Sequence, residues 1–211
     1  MQPSSPRLYP VFLKLAGLPV VVVGGGTVAA SKLAGLLEAG ARITVIAPSI
    51  SEAIRTRAAL SPLALPITLI ERGFQPGDLD GARWVVAAAT PEVNRAVAEA
   101  AASRGLFVNA VDDVAAASAY LGAVIERGPA VLAISTGGLA PALAGLLREA
   151  LEAVLPDDLE RWIDVAVAAR ADWKRAGTPI AARRPLLLRA LDRIYRHRED
   201  SYDASPAGVL S

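Results

Sequence analysis

Three small residues, Gly24, Gly26 and Ala29, stand in the spacing G-x-G-x-x-A directly behind four consecutive valines, Val20 to Val23. In that spacing the first glycine permits a tight turn and the second lets backbone approach a pyrophosphate. The small third residue lets the following helix pack on the strand, leaving helix N–H groups aimed at the phosphates of a dinucleotide. Further along, Asp112 and Asp113 close an apolar run. A carboxylate there can remove a proton while a hydride leaves for the dinucleotide. Adjacent residues of a strand alternate in direction, so at most one of the two faces a cleft. The plainer alternative is a pair of loop or N-cap acids, and Asn109, just before them, reads equally well as a turn residue or a substrate contact. Ser135-Thr136-Gly137-Gly138 precedes a helix and offers amides and hydroxyls as a small anion nest, suited to substrate carboxylates. Its alternative is an ordinary glycine-rich helix start.

These residues need elements to hold them. Val20–Val23 is β-branched throughout, which suits a strand buried on both faces of a parallel sheet. A segment with helical spacing follows (Ala29, Lys32, Leu33, Leu36, Leu37). Gly40-Ala41-Arg42 then leads into a second strand at Ile43–Ile46. That completes the βαβ context in which the glycine motif carries weight. Ser49, with Glu52 three residues on, has capping-box spacing and predicts a helix through Ala58. Ile67–Ile70 reads as a third strand, 73–81 as loop, and Trp84–Ala89 as a fourth strand. Pro91 suits a first helical position and opens a helix to about Ser103, and 105–109 gives a fifth strand. The alternation predicts an α/β, doubly wound parallel sheet. In such sheets ligands bind beyond the carboxyl ends of the strands, which brings together 24–28, 47–49, Thr90 and 109–113. The second strand ends in Ala47-Pro48-Ser49, with neither a carboxylate for ribose hydroxyls nor an arginine for a 2′-phosphate, so this position leaves NAD and NADP open.

Past Asp113 the pattern changes. Two apolar runs, 119–125 and 130–135, joined by Glu126-Arg127-Gly128-Pro129, predict a β-hairpin. Helices follow at about Ala140–Val154 and Leu159–Arg175, and a last one, set off by Gly177-Thr178-Pro179, ends near Arg198, with a frayed tail from Glu199. The expected organisation is a Rossmann domain over 1–113, a hairpin-plus-helix dimerisation segment over 114–156 and a helical region over 157–211.

Composition removes several classes of chemistry. The 211 residues include no cysteine, which excludes thiolate metal sites, disulfides and cysteine nucleophiles. The one histidine, His197, lies in a charged stretch and reads as a solvated residue, so no dedicated metal site is expected. A net charge of +1 gives no global case for nucleic acid or membrane binding. The first residues lack an apolar signal region and no apolar run reaches a membrane span, so the expectation is a cytoplasmic protein.

Taken together, these segments resemble the precorrin-2 dehydrogenase family, which includes the N-terminal part of siroheme synthases. The resemblance covers about residues 8 to 156. It rests on Tyr9-Pro10-Val11-Phe12-Leu13, Gly24-Gly25-Gly26-x-Val28-Ala29-x-x-Lys32, Asn109-x-Val111-Asp112-Asp113 and Ser135-Thr136-Gly137-Gly138, in this order. The chain departs from the family pattern at Leu121-Gly122 and at Ala140. The resemblance implies NAD-dependent oxidation of precorrin-2, a carboxylate-rich tetrapyrrole, to sirohydrochlorin by a homodimer in siroheme or cobalamin biosynthesis. By position it assigns Thr27, Val28, Pro48 and Ser49 to NAD contacts and Asp112 to acid or base work. In some members that aspartate also serves insertion of Fe²⁺ into sirohydrochlorin. No methyltransferase domain is expected on this chain. The competing class is an NAD-sensing Rossmann regulator without turnover, which a basic recognition helix or a strong charge excess would favour; a related dehydrogenase for another acidic substrate is a third reading.

Overall fold

The computed structural model describes residues 7–62 and 66–203. The chain divides into two compact units. One takes in the chain up to Leu121 together with the return segment Ser135–Pro141; the other holds Gly122–Ile134 and the chain from Ala142 onward.

The first unit is built on β1 (Pro19–Val23), whose valines are at most 5% exposed. Parallel pairing runs from β1 to β2 (Arg42–Ile46) on one side and to β4 (Trp84–Ala87) on the other. Beyond them lie β3 (Thr68–Ile70) and β5 (Val108–Ala110), giving the order β3-β2-β1-β4-β5. Strand alternation divides the valines between two cores. Val20 and Val22 pack with Leu33 of α1 (Thr27–Glu38) and Ile54 of α2 (Glu52–Ala59). Val21 and Val23 pack with Val97 and Ala100 of α3 (Pro91–Ala102) and with Leu79. Apolar side chains therefore cover both faces of β1, and the doubly wound α/β arrangement follows. The order reverses between β1 and β4, which fixes the crevice where ligands bind in such sheets.

Several expected boundaries move, each for a local reason. Ser51, not Ser49, occupies the N-cap of α2, and no side chain caps it. The Ser49 carbonyl packs instead against Gly25, where an added Cβ would lie 1.9 Å from its oxygen. The segment 73–81 is not all loop: Pro76–Leu79 forms one 3₁₀ turn, closed by Asp78, which accepts from the Gln75 N–H at 2.8 Å. Residues 119–120 do not start the hairpin. The N–H groups of Ser118 and Ala119 both donate to the Val108 carbonyl at 3.0 Å, so this stretch lies along β5.

In the second unit β6 (Ala123–Arg127) pairs antiparallel with β7 (Ala130–Ile134). Gly128 takes φ 54 in the two-residue turn before Pro129, the position where a II′ hairpin turn requires glycine. Gly122 lies against the Ile134 backbone, with an added Cβ only 2.5 Å from its carbonyl oxygen, which explains a glycine at this departure from the family pattern. Three helices follow: α4 (Pro141–Val154), α5 (Leu159–Arg175) and α6 (Ile180–Asp203). Helix α6 continues past Glu199, where fraying was expected, and contains Pro185. The expectations for residues 1–6 and for the His197 side chain lie outside what the structure describes. No helix among the described residues is long and apolar enough to cross a membrane.

Candidate functional site

The glycine turn divides its labour differently from the simple motif reading. Gly24 is buried with φ 134, and an added Cβ would stand 2.2 Å from the Ala88 carbonyl oxygen. Gly25, the position the motif leaves free, is closed off by Ser49 and Ala47, and its carbonyl accepts from the Ser51 N–H at 2.8 Å. Both glycines are therefore demanded by packing. Gly26 is not: it has an ordinary φ of −89 and nothing within 4 Å of an added Cβ. It is the N-cap of α1, and no side chain caps that helix and no acid stands in its first turn. The first intrahelical bond, from the Ala30 N–H to the Gly26 carbonyl, leaves the N–H groups of Thr27, Val28 and Ala29 without helical partners. An open cradle beside uncapped amides at a positive helix end fits a pyrophosphate. The residues present thus fit a dinucleotide.

The neighbouring strand ends supply the rest of this edge. Pro48 and Ser49 are exposed beyond β2. Two nearby arginines are already engaged by carboxylates: Arg55 with Glu71, at 2.9 and 2.6 Å, and Arg72 with Asp78, at 2.8 and 2.5 Å. These hydrogen bonds hold both carboxyls below the ordinary carboxylate range and both guanidiniums above theirs. Thr90, beyond β4, is the N-cap of α3 and its hydroxyl donates to Glu92. The Glu92 carboxyl is lowered by its own backbone N–H first and by that hydroxyl second.

Beyond β5 the two aspartates part company. Asp113 is used by the chain: its Oδ1 accepts from the Ala116 N–H at 3.0 Å and its carbonyl from the Ala117 N–H at 3.0 Å. Asp112 is exposed; among the described residues it accepts no hydrogen bond and is the one non-glycine residue with a positive φ, at 59. An aspartate tolerates that left-handed conformation better than most residues, and outliers of this kind cluster at working sites. Asn109 is 7% exposed; its amide donates to the Ala119 carbonyl at 3.1 Å and its Oδ1 is buried without a partner. It thereby holds the segment that returns along β5.

The anion nest lies further along the chain, at 135–138. Gly137 and Gly138 have φ 65 and 78, so two successive residues are left-handed. The Ser135 hydroxyl accepts from the Gly137 N–H at 3.1 Å, and the Thr136 hydroxyl from the Ala140 N–H at 3.2 Å. An added Cβ on Gly138 would meet Val114 at 3.0 Å and the Tyr120 ring at 3.2 Å. The Tyr120 hydroxyl in turn donates to the Val114 carbonyl at 3.1 Å. The nest thus rests on residues that come after Asp112 in the chain. Among the described residues no three acids or histidines gather as a metal site.

One contributor escaped the sequence reading as a site residue. Asn94, on α3, is 3% exposed and bridges the ends of β4 and β5. Apart from its place, with Val93, in the stretch that resembles the family, its signal is an amide four positions into an alanine-rich helix beside Glu92, Arg95 and Glu99, which reads the same on a solvated face.

Comparison with known proteins agrees with this outline. A family described as "Putative NAD(P)-binding" matches residues 11–123. Siroheme synthase 1 of Aeromonas salmonicida (strain A449) is 44% identical over 169 residues, 79% of this chain and 34% of the relative. The siroheme synthase of Xylella fastidiosa (strain M12) is 41% identical over 206 residues, 93% of this chain and 42% of the relative. The chain therefore spans between a third and somewhat over two fifths of the length of these relatives. Among solved structures, SirC, precorrin-2 dehydrogenase, superposes with a TM-score of 0.69 at 28% identity, covering 90% of this chain and 92% of that one.

Proposed function

Because the chain belongs to the family of siroheme synthase N-terminal regions and precorrin-2 dehydrogenases, with its NAD(P)-binding domain across residues 11–123, we propose that it oxidises precorrin-2 to sirohydrochlorin with NAD⁺. The observation that carries the reading is the pairing, along one sheet edge, of the uncapped N-terminus of α1 with the exposed carboxylate of Asp112. NAD⁺, when bound, supplies the hydride acceptor. In this reading Gly24 shapes the turn, while Gly26 and the amides of Thr27 and Val28 hold the pyrophosphate. Pro48 and Ser49 border the adenosine end, and Thr90 borders the cofactor beyond β4. The engagement of Arg55 and Arg72 by Glu71 and Asp78 supports NAD over NADP, because neither guanidinium is left to meet a 2′-phosphate.

Asp112 takes the proton that leaves as the hydride departs, so the substrate loses two hydrogens and two electrons. Ser135, Thr136, Gly137 and Gly138 receive substrate carboxylates through amide and hydroxyl donors, and Asn109 serves the substrate side by holding the Ala119 backbone. We assign 1–113 to the cofactor domain, 114–156 to dimerisation and 157–211 to a helical region. The dimer is supported by Val124 and Val131 on the hairpin and Leu143, Leu146 and Leu147 on α4, all more than 40% exposed. The same carboxylate of Asp112 is available to accept protons released when Fe²⁺, as substrate, enters sirohydrochlorin. The test is anaerobic incubation of the protein with freshly generated precorrin-2 and NAD⁺, with NADP⁺ in parallel, followed by absorbance. Stoichiometric NADH and sirohydrochlorin are expected with NAD⁺. NAD⁺ binding without turnover would instead favour a regulatory Rossmann protein.

A further inference from the structure

We propose that Asn94 is a positioning residue: it locks the peptide before Asp112 to the loop that closes the glycine turn, and so couples the cofactor cleft to the acid/base group. The inference rests on the reading of Asp112 as that group. Asn94 and Asn109 are the two polar residues buried as a whole among the described residues; Asn94 binds the peptide directly before Asp112, while Asn109 stands three residues before it and binds the Ala119 carbonyl. A buried amide is costly unless its donors and acceptor are met. Asn94 meets its own needs with two peptide groups that lie just past the sheet ladder.

That ladder ends where the Val111 N–H donates to the Ala87 carbonyl at 2.9 Å and the Ala88 N–H to the Val23 carbonyl at 2.8 Å. The next groups along are taken by Asn94. Its Oδ1 accepts from the Ala89 N–H at 2.9 Å, and its Nδ2 donates to the Val111 carbonyl at 3.4 Å. On one side of this bridge the Ala88 carbonyl lies against Gly24, so that even a methyl group there would collide with it. On the other side Asp112 turns to φ 59 directly after the held carbonyl. With the Val111 carbonyl fixed, the peptide that sets φ at Asp112 is fixed as well, and the carboxylate departs from the alternation a strand would impose. The path from Gly24 to Asp112 is therefore contiguous: packing at Ala88, a hydrogen bond at Ala89, one side chain, and a hydrogen bond at Val111.

A merely structural amide and a positioning one differ in what its loss does. The experiment compares wild type, Asn94→Ala and Asn94→Asp in three readouts: thermal melting, NAD⁺ affinity by calorimetry, and kcat and KM with precorrin-2. Asn94→Asp keeps an acceptor for the Ala89 N–H but turns an oxygen toward the Val111 carbonyl. It is expected to hold NAD⁺ within about threefold of wild type while kcat falls tenfold to a hundredfold. Asn94→Ala is expected to show the same loss of kcat, with NAD⁺ affinity weakened as well. Folded variants that keep wild-type kcat overturn the proposal, as does a loss confined to the melting temperature. Failure of both variants to fold also overturns it, because the bridge would then be a folding contact. A wild type that binds NAD⁺ but does not turn over removes the underlying reading and the coupling with it. A wild type that turns over beside unaffected variants removes the coupling alone.

Discussion

The glycine turn offers a perturbation that separates folding from ligand binding within two adjacent residues. At Gly25 a methyl group would sit 1.9 Å from the Ser49 carbonyl oxygen, and moving that loop strains the 2.8 Å bond from the Ser51 N–H to Gly25. Overpacking against backbone and the loss of one hydrogen bond together amount to about 2–4 kcal/mol. For a chain of this size that is a drop in melting temperature of roughly 5–15 °C. At Gly26 the same methyl group meets nothing within 4 Å, and the φ of −89 suits any residue. Alanine is a poorer N-cap than glycine, so Gly26→Ala should cost about 1 kcal/mol or less. If the space above Gly26 holds a pyrophosphate, the methyl group displaces it from one or two amides. Charge-assisted hydrogen bonds are worth about 1.5–3 kcal/mol each, so the Kd for NAD⁺ should rise roughly 10- to 100-fold for one amide lost and up to about 10⁴-fold for two. Differential scanning fluorimetry and calorimetric NAD⁺ titration on the two variants make the comparison. A Gly26→Ala protein that binds NAD⁺ as wild type does would refute the assignment of the cradle. One that unfolds as readily as Gly25→Ala would refute the division of labour inside the turn.

Other expectations come from single contacts. Arg72 holds Asp78 below its ordinary pKa, so the pair stabilises the fold above the unfolded value of about 3.9 and is lost as pH falls through the lower folded value. Asp78→Asn should therefore melt earlier at pH 7, and the gap to wild type should close in acid titrations below that range. Gly138→Ala, forced into φ 78 against Val114 and Tyr120, should raise KM for the tetrapyrrole more than KM for NAD⁺ in steady-state assays. Sedimentation should return a dimer, and Leu146→Glu on α4 should weaken it at least tenfold in a dilution series; a wild-type monomer would count against the hairpin-and-helix interface.

Legibility in the sequence tracked how far each residue's surroundings are local. Val20–Val23 announced a central strand because only burial on both faces suits four valines in a row, and β1 is indeed flanked on both sides. Helix α5 was readable between Pro156 and Gly177 because its breakers lie in its own sequence. The hairpin start was not: the apolar run from Ala119 fits a strand, but Ser118 and Ala119 bond the Val108 carbonyl, a contact set by tertiary packing. The cap of α2 shifted from Ser49 to Ser51 because Gly25 needs the Ser49 carbonyl against it. Within the candidate site, the glycines and the Asp112-Asp113 pair stood out by type and spacing. The choice between Asp112 and Asp113 did not, since it depends on a left-handed backbone at one residue and an Ala116 N–H claimed by the other. Asn94 stayed hidden for a similar reason, as its partners are peptide groups that any residue types could supply.

Asp112 carries the central claim, and the direct measurement is anaerobic single-turnover oxidation of precorrin-2 by Asp112→Asn beside wild type, with NAD⁺ affinity measured on the same samples. The substitution keeps the side-chain shape and a residue type that tolerates the left-handed backbone, so folding and NAD⁺ binding should match wild type. Loss of the proton acceptor should slow sirohydrochlorin and NADH formation together by roughly 10²- to 10⁴-fold. Unchanged rates in the Asn variant, with NAD⁺ bound as tightly as before, would contradict the assignment and leave the exposed carboxylate without a part in the chemistry.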